Sequence, residues 1–421
     1  MSQKEWKRVQ VIEEMESCVL TRRDGARLLG LSRRQLRRLM RRYTEEGAVG
    51  LRHGNLGRAP PNKTSDEVRR MIVELRNGLY AGFNDHHFTE KLVEKCGLKV
   101  SRQTVQRILR AAGVAATRKR RARKYRRRRE RRLQPGLLLL WDGSDHDWLE
   151  GRGPKLTLMG AIDDATSQLL FGAHFVEEEC TVGYLRVLRD LVRHHGVPWE
   201  IYMDKHGTLR RNDGYWTMEE ELAGRRFPTQ VGKALEDLGI TATYANSPQA
   251  KGRVERLWET LQDRLCSELR LVNACTLEQA NRVLRRVRAE HNRRFAKAPG
   301  DARPAWRQLP KGVDLEVVCS VRQRLKVRND NVIRYEGLVI DLPPRGNGTG
   351  RAGEIVDLRH LLSGTIRVYS EHGKLIKSLR HTLPTRAPKR RHREEMLLSN
   401  RPHGNRKQTL KEILTKYRNA A

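Results

Sequence analysis

The stretch Gly136-Leu137-Leu138-Leu139-Leu140-Trp141-Asp142 decides the fold. Its apolar run, Leu137 to Trp141, is far short of the ~18 residues a membrane-spanning helix needs and fits a buried strand. The strand closes on a carboxylate, Asp142, which the sheet edge would leave reachable. Downstream, 155–163 reads as a second strand, Asp164-Ala165-Thr166-Ser167 as a turn and 168–176 as a third strand. An amphipathic helix over Thr181–His195 is broken by Gly196-Val197-Pro198, and a strand over 200–204 ends on Asp204. A polar, Gly-rich stretch over 206–226 precedes a helix near 229–238, a short strand Thr241–Tyr244 and a long helix from Gly252. Three strands, a helix, then alternating strand and helix imply a mixed α/β domain over 134–300.

Upstream lies a helical region. Residues 22–29 form a helix, Gly30-Leu31 a turn, and Ser32 caps a second helix beginning Arg33-Arg34-Gln35-Leu36. Leu36, Leu39 and Met40 make one apolar stripe, so Arg33, Arg34, Arg37 and Arg38 face outward, as a major-groove helix requires. The logic repeats after a Gly/Asn/Pro-rich linker. Ser65 opens a helix to Asn77, and Ser101 caps 102–111, which offers Arg102, Gln103 and Arg107. Two helix-turn-helix DNA-binding domains are therefore expected, over 1–53 and 64–116. A linker over 117–133, nearly all Arg and Lys and including Arg120 and Arg127, should track phosphates. Beyond residue 301, short alternating segments, 315–318 the first of them, with Gly-rich turns suggest a small β-barrel over 308–385. A basic tail over 386–421, with a short helix near 410–417, would follow.

Charge narrows the partner. The 421 residues carry 85 Lys and Arg against 50 Asp and Glu, a net charge of +35. Such a field favours polyanions, and displaced counterions drive the binding. Double-stranded DNA is the expected partner and no membrane contact is expected. The first residues lack the apolar core of a secretion signal, so the chain should stay in the cytoplasm with its DNA. Six scattered cysteines without a Cys-x-x-Cys pair argue against a zinc knuckle or a disulfide framework.

A third acid completes the pattern. Glu255 follows Ser247-Pro248-Gln249-Ala250-Lys251-Gly252 in a helix whose core face is Val254, Leu257, Trp258, Leu261 and Leu265. It sits at the border of that face, from which it could reach inward. Asp142, Asp204 and Glu255 would repel one another unless cations neutralise them, and hard oxygens of this number suit Mg²⁺, with Mn²⁺ as a substitute. Two ions could activate an attacking oxygen and stabilise a leaving one in phosphoryl displacement. On spacing alone, Asp145 and Asp147 compete with Asp142 from the loop expected beyond the strand, and Glu259 competes with Glu255. Asp163 and Asp164 read as turn residues.

Trp141-Asp142-Gly143-Ser144, Tyr202-Met203-Asp204-Lys205 and Ser247-Pro248-Gln249-Ala250-Lys251-Gly252-Arg253-Val254-Glu255-Arg256 resemble the signature segments of bacterial insertion-sequence transposases. These belong to the DDE superfamily, with the retroviral integrases. Asp145 to Gly153 and His291-Asn292-Arg293-Arg294-Phe295 are similar to one multi-domain branch, and the likeness spans about residues 10–385. It implies a ribonuclease H-like catalytic domain in which the strands of Asp142 and Asp204 lie side by side. It also implies that these two acids and Glu255 hold the metal and are catalytic. The enzyme would bind the terminal inverted repeats of a mobile element, then cleave and transfer DNA strands, as at least a homodimer on DNA. Two departures stand out: an insertion around 209–226, and Gln262 where many relatives carry a basic DNA contact, with Arg256 and Arg264 as substitutes. A non-catalytic, sequence-specific DNA-binding regulator and a structure-selective nuclease are the alternatives.

Overall fold

The computed structural model describes residues 2–55, 63–117, 130–211, 214–245 and 252–381. Arg120 and Arg127 of the basic linker, the segment Ser247 to Lys251 and the tail with its expected helix lie outside the described residues. The chain divides into two compact units, residues 1–72 and 73–421.

In the first unit, α1 (Gln3–Glu16), α2 (Arg22–Leu29) and α3 (Arg33–Glu46) enclose a core of Val9, Val11, Ile12, Met15, Ala26, Leu36 and Leu51. Gly30 ends α2 with φ +64°, a left-handed turn that glycine adopts without a Cβ penalty. Ser32 and Gln35 then cap α3 reciprocally.

Helix α4 (Asp66–Asn77) runs across the division between the units. In the second unit, α5 (Asp85–Cys96) ends at Gly97, and Ser101 caps α6 (Arg102–Ala111), whose Val105, Ile108 and Leu109 are buried. The central sheet holds β1 (Leu138–His146), β2 (Leu156–Asp163), β3 (His174–Val176), β4 (Glu200–Met203) and β5 (Thr241–Tyr244) in the order β3-β2-β1-β4-β5. The β3-β2-β1 pairs are antiparallel, and β1-β4 and β4-β5 are parallel. This mixed order fits a ribonuclease H-like sheet, and the strand of Asp142 does lie beside the strand that leads to Asp204.

Alternation along β1 sorts its side chains between two cores. Leu139 and Trp141 pack with α7 (Thr181–His195), α8 (Met218–Ala223) follows in the insertion, and α9 (Gln230–Asp237) completes that face. Leu140 packs on the other face with α10 (Gly252–Leu271) and α11 (Leu277–Phe295).

Three strand assignments need correction. Strand β1 runs on to His146, so Asp142 lies mid-strand opposite Gly160, and Asp145 is within the strand opposite Thr157 rather than in a loop. Backbone pairing with β2 continues regardless of side-chain polarity, whereas the parallel ladder with β4 ends at Leu140–Tyr202. The third strand is shortened to His174–Val176, because Gly172 turns the chain at φ +90° where the α7 backbone passes close. Residues Leu315–Val318 form a helical turn, α12, not a strand, since Asp314 caps it by accepting from the Glu316 amide.

At the C-terminal end, β6 (Val321–Lys326), β9 (Ile355–His360), β10 (Thr365–Ser370) and β11 (Leu375–Arg380) form an antiparallel sheet in the order β11-β10-β9-β6. The hairpin β7 (Val332–Tyr335) and β8 (Leu338–Asp341) shares its core through Ile333, Tyr335 and Ile340. Among the described strands this sheet does not close into the expected barrel, because the hairpin pairs only with itself.

Candidate active site

Asp142, within β1, and Asp204, the residue after β4, lie at one level of the sheet. The last parallel pair is Leu140–Tyr202, and each acid follows two residues later. Asp142 has the parity of Leu140 and so belongs to the α10 face, where the Trp258 indole Nε1 donates to its Oδ2 at 3.1 Å. Asp204 Oδ1 accepts from the His206 amide at 3.1 Å. Both aspartates are partly exposed.

Glu255 occupies the first turn of α10, three residues before Trp258. The expected apolar face is present, with Val254, Leu257, Trp258, Leu261 and Leu265 all buried, while Glu255 itself is exposed. Neighbouring Arg253 pairs with Asp164, which is fully buried and also accepts from the Arg132 amide at 2.9 Å. Asp163 accepts from the Gly136 amide and from both the amide and hydroxyl of Thr166. Asp163 and Asp164 thus brace the turn. Among the described residues no group of three or more His, Cys, Asp and Glu lies close enough to hold a metal ion. The structure therefore brings Asp142 and Asp204 to adjacent chains and ties the helix of Glu255 to Asp142, without gathering the three carboxylates into one ligand set.

Gln262 donates to Ser144 Oγ at 3.2 Å, so this position fastens α10 to β1. Arg264 is engaged in two hydrogen bonds to Glu90, at 2.7 and 3.0 Å, and stacks on Phe295, which leaves Arg256 as the exposed arginine of the pair. Sequence reasoning missed Glu179. Its Oε1 accepts the Tyr184 hydroxyl at 2.5 Å and lies 3.3 Å from His206 Nδ1. Burial, with Glu179, Asp204 and Asp142 nearby, pushes the Tyr184 phenol well above its usual range.

The arginines Arg33, Arg34, Arg37 and Arg38 are exposed along α3, and Arg102, Gln103 and Arg107 along α6. Helix α5 is fastened to α10 and α11 by buried polar pairs. Glu268 accepts from His87 Nε2 at 2.8 Å and Lys91 Nζ at 2.6 Å, and Arg286 lies 3.2 Å away. Glu90 adds Arg264 and Arg294, the latter at 2.8 Å, and Asn84 meets Asp263. Among the described residues no helix is long and apolar enough to cross a membrane.

A basic helix-turn-helix unit and a mixed sheet with two acids at one level define a DNA-binding protein with a mixed α/β core. Residues 7–60 match a family described as a helix-turn-helix domain. The transposase y4bF of Sinorhizobium fredii is 37% identical over 326 residues, covering 77% of this chain and 70% of that protein. The transposase for insertion sequence IS1202 of Streptococcus pneumoniae is 31% identical, covering 66% of this chain and 66% of that protein. The chain belongs to the transposases. Among solved structures, the HTLV-2 integrase catalytic core domain in complex with magnesium aligns with 36% of this chain and 86% of its own, at 15% identity and a TM-score of 0.25.

Proposed function

We propose that this transposase cleaves DNA strands at the ends of a mobile element and joins them to target DNA, using Asp142, Asp204 and Glu255 as metal-binding catalytic acids. The observation that carries the reading is that Asp142 on β1 and Asp204 at the end of the neighbouring β4 lie at one level, with the helix of Glu255 held to Asp142 by Trp258. All three donors are carboxylate oxygens, the hard ligands that suit Mg²⁺, with Mn²⁺ as a replacement. When bound, two such ions supply an activated nucleophile and charge stabilisation at the leaving oxygen. Asp142 and Asp204 would hold the ions over the sheet, and Glu255 would close the set from α10. Water and a terminal 3′-hydroxyl are equivalent nucleophiles at such a site, so one set of acids serves both cleavage and joining.

The two arginine-bearing helices, α3 and α6, would read the terminal inverted repeats, with Arg120 and Arg127 adding phosphate contacts. Two ends must be held together, so the working form is a homodimer or larger on DNA. The proposed division has helix-turn-helix domains over 1–53 and 64–116, a basic linker over 117–133 and the catalytic domain over 134–300. A β domain over 308–385 and a basic tail over 386–421 follow. The protein would act in the cytoplasm on nucleoid DNA.

The test incubates the full chain with Mg²⁺ and DNA carrying the element's ends, comparing wild type with Asp204→Asn. Cleavage and joining by the wild type alone is expected. Persistence of both in the variant would overturn the acidic site, and binding without cleavage by the wild type would favour a regulator.

A further inference from the structure

Glu179 lies between β3 and α7, outside the three acids just assigned. Its carboxylate spans the gap between the chains that carry two of them. On one side, an ideal Cβ built on Gly143 would lie only 2.9 Å from Glu179 Oε2, so the absent side chain at the residue after Asp142 is what admits this carboxylate. On the other side, Oε1 is 3.3 Å from His206 Nδ1, and the His206 amide donates to Asp204 Oδ1. Tyr184, 1% exposed and packed edge-on against Trp141 with ring centroids 5.0 Å apart, donates its hydroxyl to the same Oε1. Trp141 belongs to the α7 core, whereas Asp142 has the opposite parity and meets α10. Glu179 therefore approaches from behind the sheet, where it can fix the acids without joining them.

We propose that Glu179 is a positioning residue for the acidic site, holding the Asp204 loop against the strand of Asp142 through His206. The inference rests on the metal-binding reading above. Tyr184 fixes the carboxylate from a rigid core, and the carboxylate fixes the loop. A role limited to satisfying the buried Tyr184 hydroxyl would leave metal affinity unchanged; a positioning role would not. Partners of this kind typically alter metal affinity by about 10–100-fold when removed.

The experiment measures Mn²⁺ binding to the full chain by electron paramagnetic resonance, with melting in EDTA to verify folding. The variants are Glu179→Ala, Glu179→Gln, Gly143→Ala and Asp204→Asn. Glu179→Ala should weaken Mn²⁺ by about 10-fold or more. Gly143→Ala should do likewise, since the new methyl displaces the flexible end of Glu179 at little cost to the backbone and so serves even if Glu179→Ala does not fold. Glu179→Gln keeps an oxygen acceptor for Tyr184 and should bind nearly as wild type does. Wild-type affinity in Glu179→Ala or Gly143→Ala, with binding lost in Asp204→Asn, would overturn the positioning role alone. Equal weakening in Glu179→Gln and Glu179→Ala would also overturn it, because the charge itself would then be required. Undiminished binding in Asp204→Asn would instead overturn the metal-binding reading.

Discussion

The indole of Trp258 donates to the Asp142 carboxylate across 3.1 Å, joining α10 to the central strand one helical turn beyond Glu255. Trp258 is 5% exposed and its ring belongs to the core beneath α10, so one side chain both packs the helix and orients an acid. Trp258→Phe keeps most of the packing and removes the donor. A hydrogen bond to a charged group contributes roughly 1.5–3 kcal/mol, so urea unfolding should show a loss within that range. On the proposed function, strand cleavage should fall by more than the stability change explains, when both are measured at a temperature where the variant is fully folded. Unchanged cleavage would show that the orientation of Asp142 does not depend on the indole.

Buried charge joins α5 to α10 and α11, and its contribution depends on pH. Burial pushes the Glu268 carboxyl up, but the hydrogen bonds from His87 and Lys91 outweigh it and bring the pKa down to about 2 from the ordinary 4.5. A folded-state pKa below the unfolded value gives stability that is complete above about 4.5 and is lost as pH falls towards about 2. Glu268→Ala leaves Lys91 buried without this partner and should cost about 3–5 kcal/mol at neutral pH. Urea midpoints of wild type and variant should converge as pH is lowered through that window. A gap independent of pH would show that the ionised carboxylate contributes nothing.

The local features of this chain were legible in its sequence. Ser32 and Ser101 cap helices because a side-chain oxygen can reach an amide three residues on, a relationship contained within one turn. The buried strand ahead of Asp142 announced itself by an unbroken apolar run. Its continuation to His146 did not, because pairing with β2 uses backbone groups whose partners lie far away in sequence. Leu315–Val318 illustrates the ambiguity of short apolar segments, which only the Asp314 cap resolves. Glu179 was hidden within Glu177-Glu178-Glu179, where nothing local separates the acid facing Tyr184 and His206 from its neighbours. Nor does any spacing rule link His87 to Glu268, 181 residues away.

The exposed arginine face of α3 makes a prediction about salt. If Arg37 grips phosphate, Arg37→Ala should weaken binding to element ends and to unrelated DNA alike. The slope of log affinity against log salt should fall by about 0.9. A side chain reading a base edge would instead cost roughly 1–3 kcal/mol at one position of the site and relax its preference there. Titrations of wild type and variant on both DNAs at several salt concentrations distinguish the two. An unchanged slope and affinity would remove Arg37 from the DNA interface.

The pairing of Arg253 with Asp164 separates stability from geometry at the entrance to α10. Asp164 is fully buried in the turn after β2, and Arg253 stands two residues before Glu255. Arg253→Met removes one charged partner from a buried carboxylate, a change that costs about 3–5 kcal/mol where the pair is well formed. Adding Asp164→Asn removes the buried charge as well, so the double variant should recover a measurable part of that loss in urea unfolding. Activity should not recover with it. The double variant still lacks the tie between the first turn of α10 and the sheet, and Glu255 depends on that turn for its placement. Cleavage of element ends should therefore remain depressed in both variants at a temperature where both are folded. Parallel recovery of stability and cleavage would show that Arg253 serves only to neutralise Asp164.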